Sequence, residues 1–336
     1  NQSYFCYKCK KAKIIVNSNT IEIWYTEDAG IKAAPSSLGQ NLGLVLEMNR
    51  NNNYLISATK IEKIKAYPKA LQLNKSTLKT TDLLSYRDIL WKSRFTTIPV
   101  FKEETINFSG ESKSNDSILR YANGTVILRK IKIPEIKFGS QIFVDLTEQS
   151  SGDAYDRTGS VFMISADEKF SFLNGLNDGI KSLPFYDNGN GKQYHGIVRS
   201  ENFAPVTELM RFFTPFGIKQ YNHIELKDKV WHEIVPYRQD ISDLQKVLSG
   251  KEIYVGTFIG NYDKGGHKVS LDITIHNSEQ IVHKNNKVIP LFNTTNIMEM
   301  AGQDYATMFN NDKGIFVEFN LDKDLKNAQL RYITTG

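Results

Sequence analysis

The sequence predicts an all-β protein: a mostly-β N-terminal accessory domain, then an antiparallel sandwich or jelly roll, then further strands. Three observations carry this. Short runs of alternating apolar and polar residues recur along nearly the whole chain, separated by turns rich in Asn, Gly and Ser. Aromatic residues make up 11% of the 336, which suits β-rich cores and sugar-stacking surfaces alike. A single window, 78–93, shows helical spacing.

The elements follow in order. Lys13-Ile14-Ile15-Val16 and Thr20-Ile21-Glu22-Ile23-Trp24-Tyr25 flank Asn17-Ser18-Asn19 and predict a hairpin. A second hairpin fits 42–48 and 54–61 around the Asn-rich turn 49–53. In the helical window Leu83, Leu84, Ile89 and Leu90 share a face, and Thr81 or Asp82 supplies a cap. The pattern resets at 97–104, which predicts a boundary there and an accessory domain over 1–100. Strand-like runs at 125–133, 141–146, 160–165, 209–214, 252–258 and 268–275 predict a second domain over 101–278. Within it, 173–205 holds Gly175, Asn177, Gly179, Asn188, Gly189, Asn190 and Gly191 and reads as a long loop excursion. Runs at 288–292, 314–320 and 328–333 predict a third, incomplete unit over 279–336.

Composition excludes several classes. The 42 basic and 37 acidic residues leave a net charge of +5, scattered apart from the cluster Lys8, Lys10, Lys11, Lys13. That is not the dense basic stripe of a nucleic-acid reader, so no nucleic-acid partner is expected. No run approaches the ~18 consecutive apolar residues of a membrane helix, so no membrane span is expected. The start, Asn1-Gln2-Ser3-Tyr4, has neither a basic n-region nor an apolar h-region and reads as a mature N-terminus after signal removal. Cys6 and Cys9 stand without a second Cys pair, which leaves a local disulfide or two thiols open and gives no zinc site. The histidines His195, His223, His232, His267, His276 and His283 have no metal-ligand spacing, and Lys264-Gly265-Gly266-His267 reads as a turn. Neither a metal nor a cofactor is expected.

The segment Ser151-Gly152-Asp153-Ala154-Tyr155-Asp156-Arg157 runs into the apolar strand Val161-Phe162-Met163-Ile164. It sets two carboxylates and an arginine at a sheet rim. Residues three apart in a strand point to opposite faces, so Asp153 and Asp156 converge only if the segment is a loop, as Gly152 permits. Read from the residues alone, an acidic turn with an ion-paired Arg is the favoured reading.

Asp153-Ala154-Tyr155-Asp156-Arg157 resembles the Asp-x-Trp-Asp-Arg segment of the peptide-N-glycosidase F family. Further matches follow in the same order. Arg211-Phe212-Phe213-Thr214-Pro215-Phe216-Gly217 is similar to that family's Phe-Ile-Thr-Pro-Tyr segment, and Asp240-Ile241-Ser242-Asp243-Leu244 to its Asp-Val-Thr-Asp-Phe. Ile253-Tyr254 and Val269-Ser270-Leu271-Asp272-Ile273 match its closing strands, so the likeness covers about 103–278. Residues 1–100 resemble the extra N-terminal domain of the type II members. The resemblance therefore implies an all-β chain: the accessory domain, an antiparallel jelly-roll sandwich, and the opening strands of a second jelly roll.

The resemblance also implies an activity: a peptide-N4-(N-acetyl-β-glucosaminyl)asparagine amidase that releases intact N-glycans and leaves aspartate. It assigns Asp156 as the catalytic carboxylate and implies substrate-binding roles for Asp153, Tyr155, Arg157 and Phe258. It implies N-glycoproteins or glycopeptides as substrates and a secreted or periplasmic bacterial setting. It further implies a C-terminal polypeptide that completes the second jelly roll, because that half carries another essential Glu. A family Glu falls on Gly256 here, so open volume and tolerance of core fucose are expected. The family's disulfide before the Asp motif is absent, since 146–152 holds no Cys. The alternative is a non-catalytic glycan-binding sandwich with Tyr155, Phe258 and Trp231 as its stacking platform.

Overall fold

The computed structural model describes residues 2–5, 7–62, 64–66, 80–216, 223–278, 287–310, 312–321, 324, 326 and 328–334. Cys6, Gly217, His283 and the first part of the 279–336 unit lie outside the described residues. The chain divides into two compact units, Asn1–Thr80 and Thr81–Gly336.

The first unit is one antiparallel sheet with strands in sequence order: β1 (Gln2–Tyr4), β2 (Tyr7–Val16), β3 (Asn19–Thr26), β4 (Leu44–Arg50) and β5 (Tyr54–Ser57). Asn17 and Ser18 close the β2–β3 hairpin with φ of 47° and 64°, the double left-handed geometry that matches strand twist. Asn51 and Asn52 do the same between β4 and β5. Its small core is Ile23, Val45 and Met48. Cys9 is buried in β2, with its thiol donating to the Tyr7 carbonyl at 3.7 Å.

The second unit opens with α1 (Leu83–Lys92). Asp82 caps it by accepting from the Leu84 and Ser85 amides at 2.9 and 3.0 Å. None of its residues is buried, so the helical spacing marks an exposed helix rather than a core element. β6 (Phe95–Ile106) then spans 97–104 as one strand with a bulge at Lys102 and Glu103. The units divide at Thr80, ahead of the boundary expected at 100. Pro99 lies within β6, which is an edge strand, and an edge tolerates a residue without an N–H.

The remaining strands are β7 (Leu119–Tyr121), β8 (Val126–Lys132), β9 (Gln141–Ser150), β10 (Thr158–Ser165), β11 (Phe185–Asp187), β12 (Gln193–His195), β13 (Thr207–Phe213), β14 (Val235–Asp240), β15 (Glu252–Ile259) and β16 (His267–His276). They form a four-stranded sheet, β14-β9-β16-β6, and a five-stranded sheet, β13-β10-β15-β8-β7, all antiparallel. This is the jelly-roll sandwich the sequence predicts. β16 alternates with period two, placing His267, Val269, Leu271, Ile273 and Ile275 inside. β9 does likewise with Ile142, Val144, Leu146, Glu148 and Ser150. Facing them across the main core are Val161 and Met163 of β10 and Ile253, Val255 and Ile259 of β15.

The five-stranded sheet is covered on its other face too. Val126, Leu128, Phe162, Ile164 and Phe258 share a second core with Phe172 and Leu176 of α2 (Phe172–Asp178) and with Ile297 and Met298. The 173–205 excursion thus contains a capped helix and the β11–β12 hairpin. Tyr194 and Ile197 there pack with Tyr305 and Met308. Among the described residues of 287–334 no strand forms; the backbone makes an isolated bridge, Val198 to Phe292, and a short helical turn at Glu299–Ala301. The alternating runs seen there in sequence have no ladder partner among the described residues, and alternation without a partner does not make a strand.

Candidate functional site

The site grows from the connection between β9 and β10, residues 151–157. Two backbone crossings shape it. Asp263 Oδ1 accepts from the Gly265 and Gly266 amides at 2.6 and 3.1 Å, making a tight turn between β15 and β16. A Cβ on Gly265 would lie 2.7 Å from the Ser151 carbonyl, and one on Gly266 2.2 Å from that of Ile106, so only glycine fits both positions. The turn delivers His267 into the first inward position of β16.

Asp153 follows at the mouth of the sandwich and is only 2% exposed. Its carboxylate accepts Arg157 Nε at 2.7 Å, Arg157 Nη2 at 3.0 Å and the Tyr155 amide at 3.1 Å. His267 Nε2 lies 3.5 Å behind it, and His267 Nδ1 lies 2.7 Å from Glu148 Oε1. A buried line of polar groups, Glu148–His267–Asp153, therefore ends on the Arg157 guanidinium. Burial alone would push the Asp153 carboxyl up. The Arg157 bonds, the Tyr155 amide and the Arg157 and His267 charges outweigh it and hold Asp153 below the usual carboxylate range. The same pair raises Arg157.

Arg157 is also pinned through its backbone. Its amide donates to Thr214 Oγ1 and its carbonyl accepts from the Thr214 amide, both at 2.9 Å. The Asp-Arg segment and the Thr-Pro segment, 57 residues apart, thus meet at one residue. The guanidinium carbon sits 5.2 Å from the Tyr155 ring centroid and 5.3 Å from that of Tyr262, within cation–π reach of both. These rings are 63% and 56% exposed. Tyr262 in turn donates to Glu299 Oε1 at 2.9 Å.

The expected site residues separate into two layers. Tyr155 and Arg157 meet at the surface, and Asp156, between them in sequence, is exposed. Asp153 lies behind Arg157 as its anchor, not on the open face. Phe258 is 2% exposed and belongs to the outer core of the five-stranded sheet. It presents no face for stacking, and the platform of Tyr155, Phe258 and Trp231 does not form. Trp231 itself donates to the Ile224 carbonyl at 2.8 Å.

Gly256 offers no open volume either. A Cβ there would lie 2.5 Å from Phe162 Cζ, so the Phe162 ring already fills the space. The expectation of a widened wall that admits core fucose loses this support. Four residues that shape the site escape sequence reasoning: Glu148, His267, Tyr262 and Glu299. The strand phase of Glu148 and His267 was a usable signal, since both fall on inward positions. Tyr262 and Glu299 carried none.

Arg157 donates Nε and one Nη2 hydrogen to Asp153, while Nη1 makes no hydrogen bond among the described residues. With 18% of its side chain exposed, the guanidinium can receive a carbonyl or carboxylate oxygen from outside. A separate depression of about 380 Å³, bordered by Lys102, Glu104 and Arg129, shares no residue with this cluster. Among the described residues no group of His, Cys, Asp and Glu could hold a metal ion, and no helix is long and apolar enough to cross a membrane.

Residues 97–275 match the family described as Peptide-N-glycosidase F, N terminal, and residues 2–88 match the one described as N-glycanase peptide, N-terminal domain. Two solved structures of PNGF-II, in different crystal forms, are similar throughout. One aligns with a TM-score of 0.85 at 56% identity over 97% of this chain and 60% of its own. The other aligns with a TM-score of 0.82 at 57% identity over 97% of this chain and 61% of its own. The chain thus spans about 60% of the length of these relatives. No curated protein matches it.

Proposed function

The chain belongs to the peptide-N-glycosidase F family as a type II member, and from that membership and the site geometry we propose that it forms the Asp156 half of a peptide-N4-(N-acetyl-β-glucosaminyl)asparagine amidase. The reaction hydrolyses the side-chain amide of a glycosylated asparagine. Water adds its oxygen to the amide carbon, the carbon–nitrogen bond breaks, a proton goes to the departing glycosylamine, and aspartate remains. Asp156 handles the water or leaving-group proton, a task that requires an exposed, positioned carboxylate. Arg157 holds the amide or sugar oxygen through Nη1, with Asp153 fixing its orientation. Tyr155 stacks on the innermost N-acetylglucosamine.

The single observation that carries this reading is the pairing of layers. Asp156 is exposed and precedes Arg157 in the chain, and the bidentate partner of that guanidinium, Asp153, is buried and unavailable to substrate. Substrates are N-glycoproteins or glycopeptides, met outside the cell after secretion or in a bacterial periplasm. In keeping with relatives of greater length, we propose that a further polypeptide completes a second jelly roll and brings another carboxylate to the site. The test incubates the polypeptide carrying this sequence with an N-glycopeptide in heavy-oxygen water. Release of the intact glycan with one heavy oxygen in the new aspartate supports the reading; unreleased glycan, or cleavage between sugars, contradicts it.

A second reading has one observation in its favour. Tyr155 and Tyr262 are exposed aromatic rings beside polar groups, which suits glycan binding without turnover. It predicts glycan binding unchanged by Asp156→Asn and no release by the unaltered protein.

A further inference from the structure

A carboxylate and an imidazole buried together stabilise a core poorly, because both lose their hydration and an apolar pair of similar volume would serve as well or better. Glu148 and His267 are nevertheless wholly excluded from solvent. They sit diagonally on the inward face of neighbouring strands, with Val269 of β16 opposite Glu148 and Ser150 of β9 opposite His267. What sets the place apart is its neighbour, since His267 Nε2 faces Asp153 Oδ2 at 3.5 Å. The described hydrogen-bond partners of the Asp153 carboxylate, the Arg157 guanidinium and the Tyr155 amide, belong to its own loop and move with it. His267 belongs to β16 and so ties the carboxylate to the sheet. Glu148 completes the tie: its contact with Nδ1 at 2.7 Å fixes the rotation of the ring, and with it the direction of Nε2.

We propose that Glu148 and His267 are positioning residues: the pair aims Asp153, and through Asp153 the Arg157 guanidinium, so that Nη1 meets the oxygen of the reacting amide or its sugar. The proposal rests on the amidase reading for what Arg157 holds, and on geometry for how Arg157 is held. Thr214 fixes the Arg157 backbone, while the side chain takes its direction from Asp153. Two bonds to one carboxylate set the guanidinium relative to that carboxylate, but they let the ion pair swing as a unit with the loop. His267 removes that swing. The direction matters because a donor misplaced by about 1 Å through a change far from the chemistry costs on the order of 10² in rate. The pair itself touches no substrate and transfers no proton.

The test compares the polypeptide carrying this sequence with two variants that leave no stranded carboxylate. His267→Asn keeps an amide donor for Glu148 in the place of Nδ1 and removes the part of the ring that faces Asp153. Glu148→Leu combined with His267→Leu removes both polar groups. Isotopically labelled arginine reports the Arg157 Nε–H by magnetic resonance, and its signal is assigned by its loss in Arg157→Lys. In both variants the exchange of this proton with water is expected to quicken about tenfold, because Asp153 no longer holds the guanidinium in one place. Glycan release from an N-glycopeptide is expected to fall about ten- to a hundredfold in kcat, with KM kept within about threefold. A pair that serves folding alone would lower the melting temperature and leave both readouts unchanged in the folded protein, and that result overturns the proposal. The two readings fail separately. If the unaltered polypeptide releases no glycan, the amidase reading falls and the exchange at Arg157 decides whether the pair aims it. If release proceeds and a folded variant matches the parent in exchange and in kcat, the positioning role falls alone.

Discussion

His267 Nδ1 lies 2.7 Å from Glu148 Oε1 with both side chains wholly excluded from solvent, at the end of the sandwich where the apolar core meets Asp153. Glu148 Oε2 and His267 Nε2 have no hydrogen-bond partner in this arrangement. Replacing His267 with Leu strands Glu148 in the core, and a buried carboxylate that loses its partner costs about 3–5 kcal/mol. Denaturant unfolding of His267→Leu should show that loss. The double variant Glu148→Leu, His267→Leu should recover a large part of it, because no unpaired charge remains. A double variant no more stable than the single one contradicts this view of the pair.

The Asp153–Arg157 bond gives an acid limb to stability. Asp153 is held below its ordinary pKa, so the folded state binds its proton less readily than the unfolded chain does. Its contribution is therefore fully present above the unfolded value of about 3.9 and fades as pH falls through the lower folded value. Stability measured from pH 7 downward should fall in that window, and Asp153→Asn should flatten this part of the curve. Arg157, already charged and raised further, adds no slope over the same range.

Thr214 anchors Arg157 through reciprocal bonds, so Thr214→Val removes one acceptor and leaves the Arg157 amide unsatisfied. A cost of roughly 1–3 kcal/mol is expected, with Thr214→Ser restoring most of it. Equal stability for Thr214→Val and the parent would show that the amide finds another partner.

Gly256 sits under the Phe162 ring. Gly256→Ala forces the ring or the strand aside, at an expected cost of about 1–3 kcal/mol, and Gly256→Glu should prevent folding of the second unit. Circular dichroism melts of both variants check this. A stable, soluble Gly256→Glu protein would restore the idea of open space at that position.

Much of this architecture was legible in the sequence. Period-two alternation located β9 and β16, each with one face on the sandwich core, while β10 and β15 showed as short strand-like runs that are buried on both faces. The Asn-rich turns marked both N-terminal hairpins because only a few residues accept two successive left-handed conformations. The boundary expected at 97–104 falls inside β6, because local sequence does not tell an irregular edge strand from a boundary. Phe258 misled for a related reason: β15 is buried on both faces, so an aromatic in its outward phase meets α2 and not solvent. Asp153 and Arg157 were found as a pair, but which of the two carboxylates the arginine holds depends on the loop's path, which Thr214 and Gly265 set from far along the chain. Tyr262 meets Arg157 through tertiary structure alone.

The central claim is that Asp156, beside an Arg157 fixed from behind by Asp153, does the proton chemistry of amide hydrolysis. It is tested most directly by comparing Asp156→Asn with the unaltered polypeptide on one N-glycopeptide, measuring both turnover and binding. The account predicts a fall in release of about 10²–10⁴, with the melting temperature unchanged and glycopeptide affinity kept within a few-fold. Release at the unaltered rate by a folded Asp156→Asn protein would contradict it.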